Sequence, residues 1–390
     1  MVGAGHSHLF VFQRLLVDRA FANSVKVIVF APTDVQIYSG MIPGWISGRY
    51  QLDECSISLQ RYIDLLREKG VDIVWVKKSI VEVDCQSRVL IDDTSGQHQA
   101  DILSIDVGSK SRNLTGVAPD GRVIPVKPIA QLCQQITDLS YQTDASPQWI
   151  LVVGAGAAAV ELVSSLKDRF PLSNCALQVN RSLLPGFPEA VRKRAIQRLQ
   201  RLGMSLFDQS HTTDDIYAAY DSVTPGSLNP PGESTDIKVF NATGVSSPTG
   251  IRFLNVDKDD SGFLLVDEYH LCKGVSYVFA VGDICSRPGS ALQRSGVHAV
   301  RAGPILADNL QRLAAALTCD SHDSSVSKGT IGVAAKRHLR AFKPRKNNLY
   351  LISMGAGWAI LNWGRLTISG SWVWKIKDYI DRQFIKRFGL

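Results

Sequence analysis

Residues 148–166, QWILVVGAGAAAVELVSSL, constrain the fold more than any other stretch of this 390-residue chain. Ile150, Leu151, Val152 and Val153 form an unbroken apolar run, the pattern of a short strand buried on both faces. Gly154, Ala155 and Gly156 follow, and then Val160, Leu162, Val163 and Leu166 mark a helix. The order is strand, glycine turn, helix. Gly154 allows the tight turn, and Gly156 lets a diphosphate approach the backbone. The small Ala159 permits close helix–strand packing, while the unpaired N–H groups of the helix N-terminus face the phosphate. The same string also suits a turn that only packs a helix onto a sheet, but the strand–turn–helix context favours a dinucleotide site.

Bulk composition bounds the rest. With 45% hydrophobic and 20% charged residues, the chain is an ordinary globular protein with room for two or three cored domains. A net charge of +7 allows an anionic partner without demanding one. The basic helix expected at 190–202 reads as a solvated face, not as a nucleic-acid reader. Seven cysteines (55, 85, 133, 175, 272, 285 and 319) include no CxxC pair. With no leader in view, that pattern predicts reduced thiols and a cytoplasmic setting. The longest apolar stretch, 349–363, is interrupted by Gly355, Gly357 and Asn362 and reads as a hairpin. Membrane contact is therefore expected to be peripheral, on the cytoplasmic face.

A second glycine turn opens the chain. In MVGAGHSH, Gly3 and Gly5 precede a helical run, and His8 stands at the third-glycine position. Only Met1 and Val2 come before Gly3, against the roughly five residues of a buried strand, so a shortened first strand is expected. A strand at 25–30 ends in Ala31, Pro32, Thr33 and Asp34, without the immediate acid that would hold a ribose. Residues 38–45, YSGMIPGW, read as a loop turning into a helix. A helix around 57–69 and strands at 71–76 and 79–84 follow, and the strand at 101–108 ends at Gly108. PVKP at 125–128 reads as a linker, and a helix is expected over 129–139. After the strand at 176–179, Asn180 and Arg181 stand where a carboxylate would favour NADH; a neutral residue beside an arginine leans to NADPH. Residues 214–236 read as loop or hairpin. The strand at 237–244 ends NATG, and the strands at 263–266 and 276–281 lead into Gly282 and Asp283. A helix over 296–317, a polar linker at 319–328, three strands and a basic aromatic helix at 372–388 complete the chain.

This constellation resembles the two-dinucleotide-binding-domain flavoproteins of the pyridine nucleotide–disulfide oxidoreductase superfamily. The likeness covers about residues 1–318. It implies that Gly3, Gly5 and His6 lie at the FAD diphosphate, that Asp283 in VFAVGD bonds the ribityl chain, and that NATG returns the chain to the FAD domain. Tyr38, Gly108, Gly282, Gly296 and Val297 complete the implied FAD site. Gly154, Gly156, Ala159, Asn180, Arg181, Thr243 and Gly244 form the implied NAD(P) site. Residues 38–48 carry no CxxxxC pair, so a dithiol relay is not expected. The strings YSGMIPG, DILSIDVGS, PVKPI, GVHAVRAGP and WVWKIKDYIDRQFIKRF are similar to the type II NAD(P)H dehydrogenase-like module that also occurs fused to selenophosphate synthetase.

The expected fold is α/β. An FAD-binding domain (1–115 and 245–325) is interrupted by an NAD(P)-binding domain (116–244) and followed by a small α+β domain (326–390). The expected function is hydride transfer from NADH or NADPH to FAD and on to a quinone. A soluble reductase of a selenium or sulfur acceptor and a non-catalytic nucleotide-binding sensor or scaffold are the alternatives. Glu161, in the first turn after the glycines, is the candidate catalytic acid; it also suits a residue that merely complements the helix N-terminus. His6 and His8 look like a metal pair but have no third partner in view, so no metal is expected. Cys285 reads as a small buried filler. The 372–388 helix suits either a lipid surface or packing on protein, and the resemblance leaves room for a homodimer.

Overall fold

The computed structural model describes residues 1–114, 123–141, 149–180, 182–208, 237–289, 294, 296–320, 338–345 and 347–389. Arg181, the 214–236 stretch and most of the 319–328 linker lie outside the described residues. Val2 is the seam of the first sheet. It bridges Phe30 on one side and Ile105 on the other, both in parallel. Val27–Phe30 pairs onward with Ile73–Val76, and Leu103–Ile105 pairs onward with Val278–Ala280. In chain order the strands lie third, second, first, fourth, fifth, so the order reverses at Val2. An open parallel sheet forms its ligand crevice at such a switch point. Val2 is 2% exposed and both its backbone groups are bonded: its N–H donates to Ser104 O at 2.8 Å and its carbonyl accepts from Asp106 N at 2.9 Å.

The helix His6–Val17 follows this turn and buries Leu9, Phe10, Val11, Phe12 and Leu15 against the long helix Gly296–Asp320. His8 does not force helix and strand apart. Its ring lies wholly buried, with Nδ1 2.7 Å from Gly3 O and Nε2 2.8 Å from Ser104 Oγ. Burial pushes its pKa down to about 3 against the pull of the Gly3 carbonyl, so the imidazole stays neutral and clamps turn, helix and strand together.

The second sheet is also parallel, in the order Val123–Pro125, Ile237–Asn241, Trp149–Val153, Asn174–Gln178, Ser205–Phe207. All five residues of Trp149–Val153 are buried, as expected for a central strand covered on both faces. Its helix, Ala157–Arg169, packs back on it through Val160, Val163 and Leu166, all at 0% exposure. PVKP is not wholly a linker, because Val123–Pro125 adds to the edge of this sheet beside Ile237–Asn241. The helix read at 57–69 starts two residues late, at Leu59. Ser56–Ser58 is a strand, and Ser58 Oγ accepts from Arg61 N at 3.3 Å to cap the helix.

Three antiparallel strands, Leu349–Ser353, Ala359–Trp363 and Leu366–Gly370, precede the helix Ser371–Phe388. This helix has two apolar faces. Inward, Val373 and Phe388 are fully buried, Phe388 meets Phe10 edge-on at 4.8 Å, and Phe384 stacks on Tyr38 at 4.2 Å. Outward, Trp372, Ile376, Tyr379 and Ile380 are 37–65% exposed. Among the described residues, no helix is long and apolar enough to cross a membrane.

Gly154 adopts φ +150°, and a Cβ there would lie 2.4 Å from the Ala242 carbonyl oxygen. Backbone clash and left-handed strain add, so Gly154→Ala is expected to cost about 2–4 kcal/mol in urea unfolding. Gly156→Ala, at φ −81° with no atom within 4 Å of the added Cβ, is expected to unfold like the parent.

Candidate active site

A cavity of about 1130 Å³ runs between the two glycine turns. One end is walled by Gly3, Gly5 and His6, the other by Gly156–Ala158, and Asp283, Gly296 and Glu161 face it between. The structure thus brings most of the sequence-predicted residues to one space: Gly3, Gly5, His6, Tyr38, Gly108, Gly282, Asp283, Gly296, Val297, Gly156 and Glu161 all line it. Gly154 and Ala159 lie behind the wall as packing residues, the latter at 0% exposure. Asn180 is exposed at the end of Asn174–Gln178. Thr243 and Gly244 are not in the lining; Thr243 Oγ1 donates to Asn241 Oδ1 at 2.8 Å, within its own turn.

The two turns differ chemically. Beneath the first sits Asp106, 4% exposed, whose Oδ2 accepts from Ser7 N at 2.8 Å and His8 N at 3.2 Å. A Cβ on Gly5 would fall 2.4 Å from the Asp106 Cγ, and one on Gly282 would fall 2.5 Å from its Oδ1. These glycines make room for a carboxylate. Burial pushes the Asp106 pKa up to about 7, although the Ser7 and His8 amides pull it down. At the second turn no carboxylate intervenes. Gly156 is exposed, the helix it precedes has no side-chain cap, and open space lies where its Cβ would be.

Both turns fit a dinucleotide. The second offers a bare helix N-terminus beside a glycine with nothing above it, the cradle a diphosphate requires. At the first, Asp106 takes the second and third helical amides, while Gly3–His6 stay on the cavity wall. Further along, the Asp283 carboxylate accepts from Ser109 Oγ at 3.0 Å and is paired with Lys127. Burial raises the Asp283 pKa, but the Lys127 charge and these hydrogen bonds outweigh it and hold the group below the usual carboxylate range. A fixed anion beside a fixed cation suits the hydroxyls of a ribityl chain.

At mid-cavity Glu161 Oε1 accepts from Ser353 N at 2.9 Å. Burial pushes its pKa up to about 7; the Lys377 charge and the Ser353 amide oppose this, and Asp381 adds to it. Lys377 corrects the sequence reading. It does not face head groups with the other basic residues of its helix: it is 8% exposed and donates to Gly40 O and to Asp381 Oδ2, each at 2.6 Å. Helical spacing sets it on the same face as Val373 and Asp381, so it turns inward with them. Tyr38 OH donates to the other oxygen of Asp381 at 3.3 Å, and burial holds this phenol protonated. Asp106, Lys127, Lys377 and Asp381 were not singled out for the site in the sequence. Asp106 alone had a signal, an acid closing an apolar strand just before a glycine in SIDVG.

The sequence pattern of the pyridine nucleotide-disulphide oxidoreductases matches residues 6–303. The chain belongs to this family. Its cofactors are those of the family, FAD and NAD(P)H. Similar curated proteins include a dihydrolipoyl dehydrogenase of Rhizobium etli, 23% identical over 57% of this chain and 48% of the relative. Another is the demethylphylloquinone reductase NdbB of Synechocystis, 26% identical over 57% of this chain and 56% of the relative. The chain thus spans about half the length of these relatives. Among solved structures, NDH2 of Plasmodium falciparum in complex with NADH shares the fold, with a TM-score of 0.67 at 14% identity over 100% of this chain and 98% of that one. The two-Rossmann reading of the sequence stands.

Glu161 gives this site a pH signature. Its pKa rises from an ordinary 4.5 to about 7 on folding, so between those values the native state keeps a proton the unfolded chain has lost. Stability therefore falls as pH rises through about 7. The midpoint of thermal unfolding is expected to drop between about pH 5 and 8 and to drop less in Glu161→Gln, with Asp106 supplying the residual slope.

Proposed function

We propose that this chain is an FAD-dependent NAD(P)H dehydrogenase that passes electrons to a quinone at a membrane surface. The observation that carries this reading is the position of Ile380. It lines the cavity and is also 40% exposed on the outer apolar face of the C-terminal helix, beside Trp372, Ile376 and Tyr379. A cavity whose mouth opens beside aromatic and aliphatic side chains suits an acceptor arriving from lipid. The Synechocystis relative, a demethylphylloquinone reductase by name, supports the same acceptor class.

In this reading FAD, when bound, supplies the two-electron chemistry between nicotinamide and quinone. Residues 1–115 and 245–325 form its domain, residues 116–244 the NAD(P) domain, and 326–390 the membrane-facing cap. Gly156, Ala157 and Ala158 hold the NAD(P)H diphosphate with backbone N–H groups. The neutral Asn180, where a carboxylate would favour NADH, and the arginine that follows it in the sequence favour NADPH. Gly3, Gly5 and His6 receive the FAD diphosphate, Asp283 orients the ribityl chain, and Tyr38 walls the ring. The N-terminus of the helix starting at Gly296, on the cavity wall, would offer partial positive charge to a bound flavin. Glu161, poised near neutrality and fixed by Ser353 N, holds the proton that the reduced acceptor takes up. Lys377 and Asp381 extend that polar wall towards the mouth.

Purified protein should carry flavin absorbance, and steady-state assays should show NADPH oxidation by a soluble naphthoquinone faster than by polysulfide or selenite. A protein free of flavin, or turnover with the chalcogen acceptors alone, would sink the proposal. Glu161→Gln is expected to lower kcat about 100-fold with flavin content unchanged. Gly156→Ala should raise the KM for the nucleotide more than about tenfold, because its methyl fills the diphosphate cradle. Replacing Trp372, Ile376 and Tyr379 together by serine should abolish co-sedimentation with anionic vesicles and leave soluble-quinone turnover intact.

A further inference from the structure

Outside the cavity, three side chains with metal-ligating atoms converge. His270 sits in the turn at 267–271, where Asp267 Oδ1 accepts from Tyr269 N at 2.9 Å and Leu271 N at 3.0 Å. The backbone at His270 is left-handed, with φ +65°, a costly conformation for a residue with a side chain. It drives the imidazole inward to 1% exposure. Cys285, also 1% exposed, follows the 3-10 turn Gly282–Ile284. His298 is the third residue of the long helix Gly296–Asp320 and is partly exposed. The ligand atoms of the three lie within 4.8 Å of one another, and Cys285 Sγ is 3.9 Å from His298 Nε2.

Among the described residues, neither ring nitrogen of His270 makes a hydrogen bond of normal geometry; both are buried, and only the Ala280 backbone draws weakly on the ring. A buried polar side chain left unmet on both nitrogens is costly in a folded protein and calls for a partner. The Phe342 ring closes the cluster, 5.2 Å from each imidazole. Phe342 is itself pinned, its N–H donating to Glu268 O at 2.7 Å and its carbonyl accepting from Arg287 at 2.9 Å.

We propose that His270, Cys285 and His298 bind one zinc ion, with the fourth position open to water on the His298 side. Two imidazoles and a thiolate are a zinc ligand set, and tetrahedral Zn–N and Zn–S bonds separate such atoms by about 3.3–3.6 Å. The Cys285–His298 pair is already near that spacing, and side-chain rotations of about 1 Å bring in the third ligand. Binding exchanges the Cys285 S–H bond for a Zn–S bond and releases one proton to solvent; no electron moves. The ion ties together the 267–271 turn, the segment just after Asp283 and the first turn of the helix whose Gly296 and Val297 line the cavity. Its role is to fix that wall, whatever the electron acceptor.

The test uses the full flavin-loaded chain, stripped with a chelator and reloaded with zinc alone. One zinc per chain should survive dialysis and raise the thermal midpoint. Cobalt loading should give a thiolate-to-cobalt charge-transfer band together with tetrahedral ligand-field absorption. His270→Asn, His298→Gln and Cys285→Ser should each cut retained zinc at least about tenfold. Should Cys285→Ser not fold, the cobalt spectrum of the unsubstituted protein decides, because without the charge-transfer band no thiolate ligates. Zinc retention that is absent from the parent, or equal in the parent and the histidine variants, overturns the proposal.

Discussion

One buried carboxylate holds the catalytic half of this molecule together. Asp106 caps the first helix through the Ser7 and His8 amides, and it fits only because Gly5 and Gly282 lack side chains at its two flanks. Its backbone N–H bonds Val2, the residue that joins the two halves of the first sheet. Segments about 100 and 180 residues apart in the chain therefore meet at one side chain, at the point where strand order reverses. A buried acid against a helix N-terminus is stabilised by the helix partial charge and by two amide hydrogen bonds, which offset much of its desolvation. Removing the acid would leave the Ser7 and His8 amides unmet beneath the first glycine turn. The geometry of the first glycine turn thus depends on a buried carboxylate in the cavity wall.

The C-terminal helix performs a second joining. Its inner face reaches the N-terminal domain through Lys377, Asp381, Phe384 and Phe388, while its outer face leaves an apolar strip in solvent. The two alternatives for this helix, packing on protein or meeting lipid, concern different sides of one element, and the lipid side belongs to the proposed function. Packing on protein is what the inner side does. The buried Lys377–Asp381 pair matters less for net stability, since desolvation consumes most of the Coulomb gain. It matters more for register: with Tyr38 and Gly40 as partners, only one rotation of the helix satisfies all four groups.

How much of this was legible depended on range. Val152 and Gly154 announced the second strand–turn–helix unit because its parts are contiguous and each has its own periodicity. Asp283 was singled out by the likeness of VFAVGD to a family motif, and the structure sets it on the cavity wall. Lys377 misled because five basic residues on an aromatic helix look alike in one dimension, and only the facing partner decides which turns inward. His8 misled in another way. Its bulk at a third-glycine position suggested a loose turn, whereas the neutral ring donates from Nδ1 to Gly3 O and accepts at Nε2 from Ser104 Oγ, which makes it a clamp.

The sequence by itself determined the two glycine turns, the parallel sheets behind them and the dinucleotide chemistry, because local backbone conformation and hydrophobic period specify those without help from distant residues. Only the tertiary structure decided that both turns open onto one cavity, that Asp106 underpins the first, that Glu161 sits against Ser353 and near Lys377, and that Cys285 meets two histidines. Each of those pairings spans a chain separation that no local rule covers. Burial then changed the chemistry of the groups involved, and burial is a property of the packed molecule.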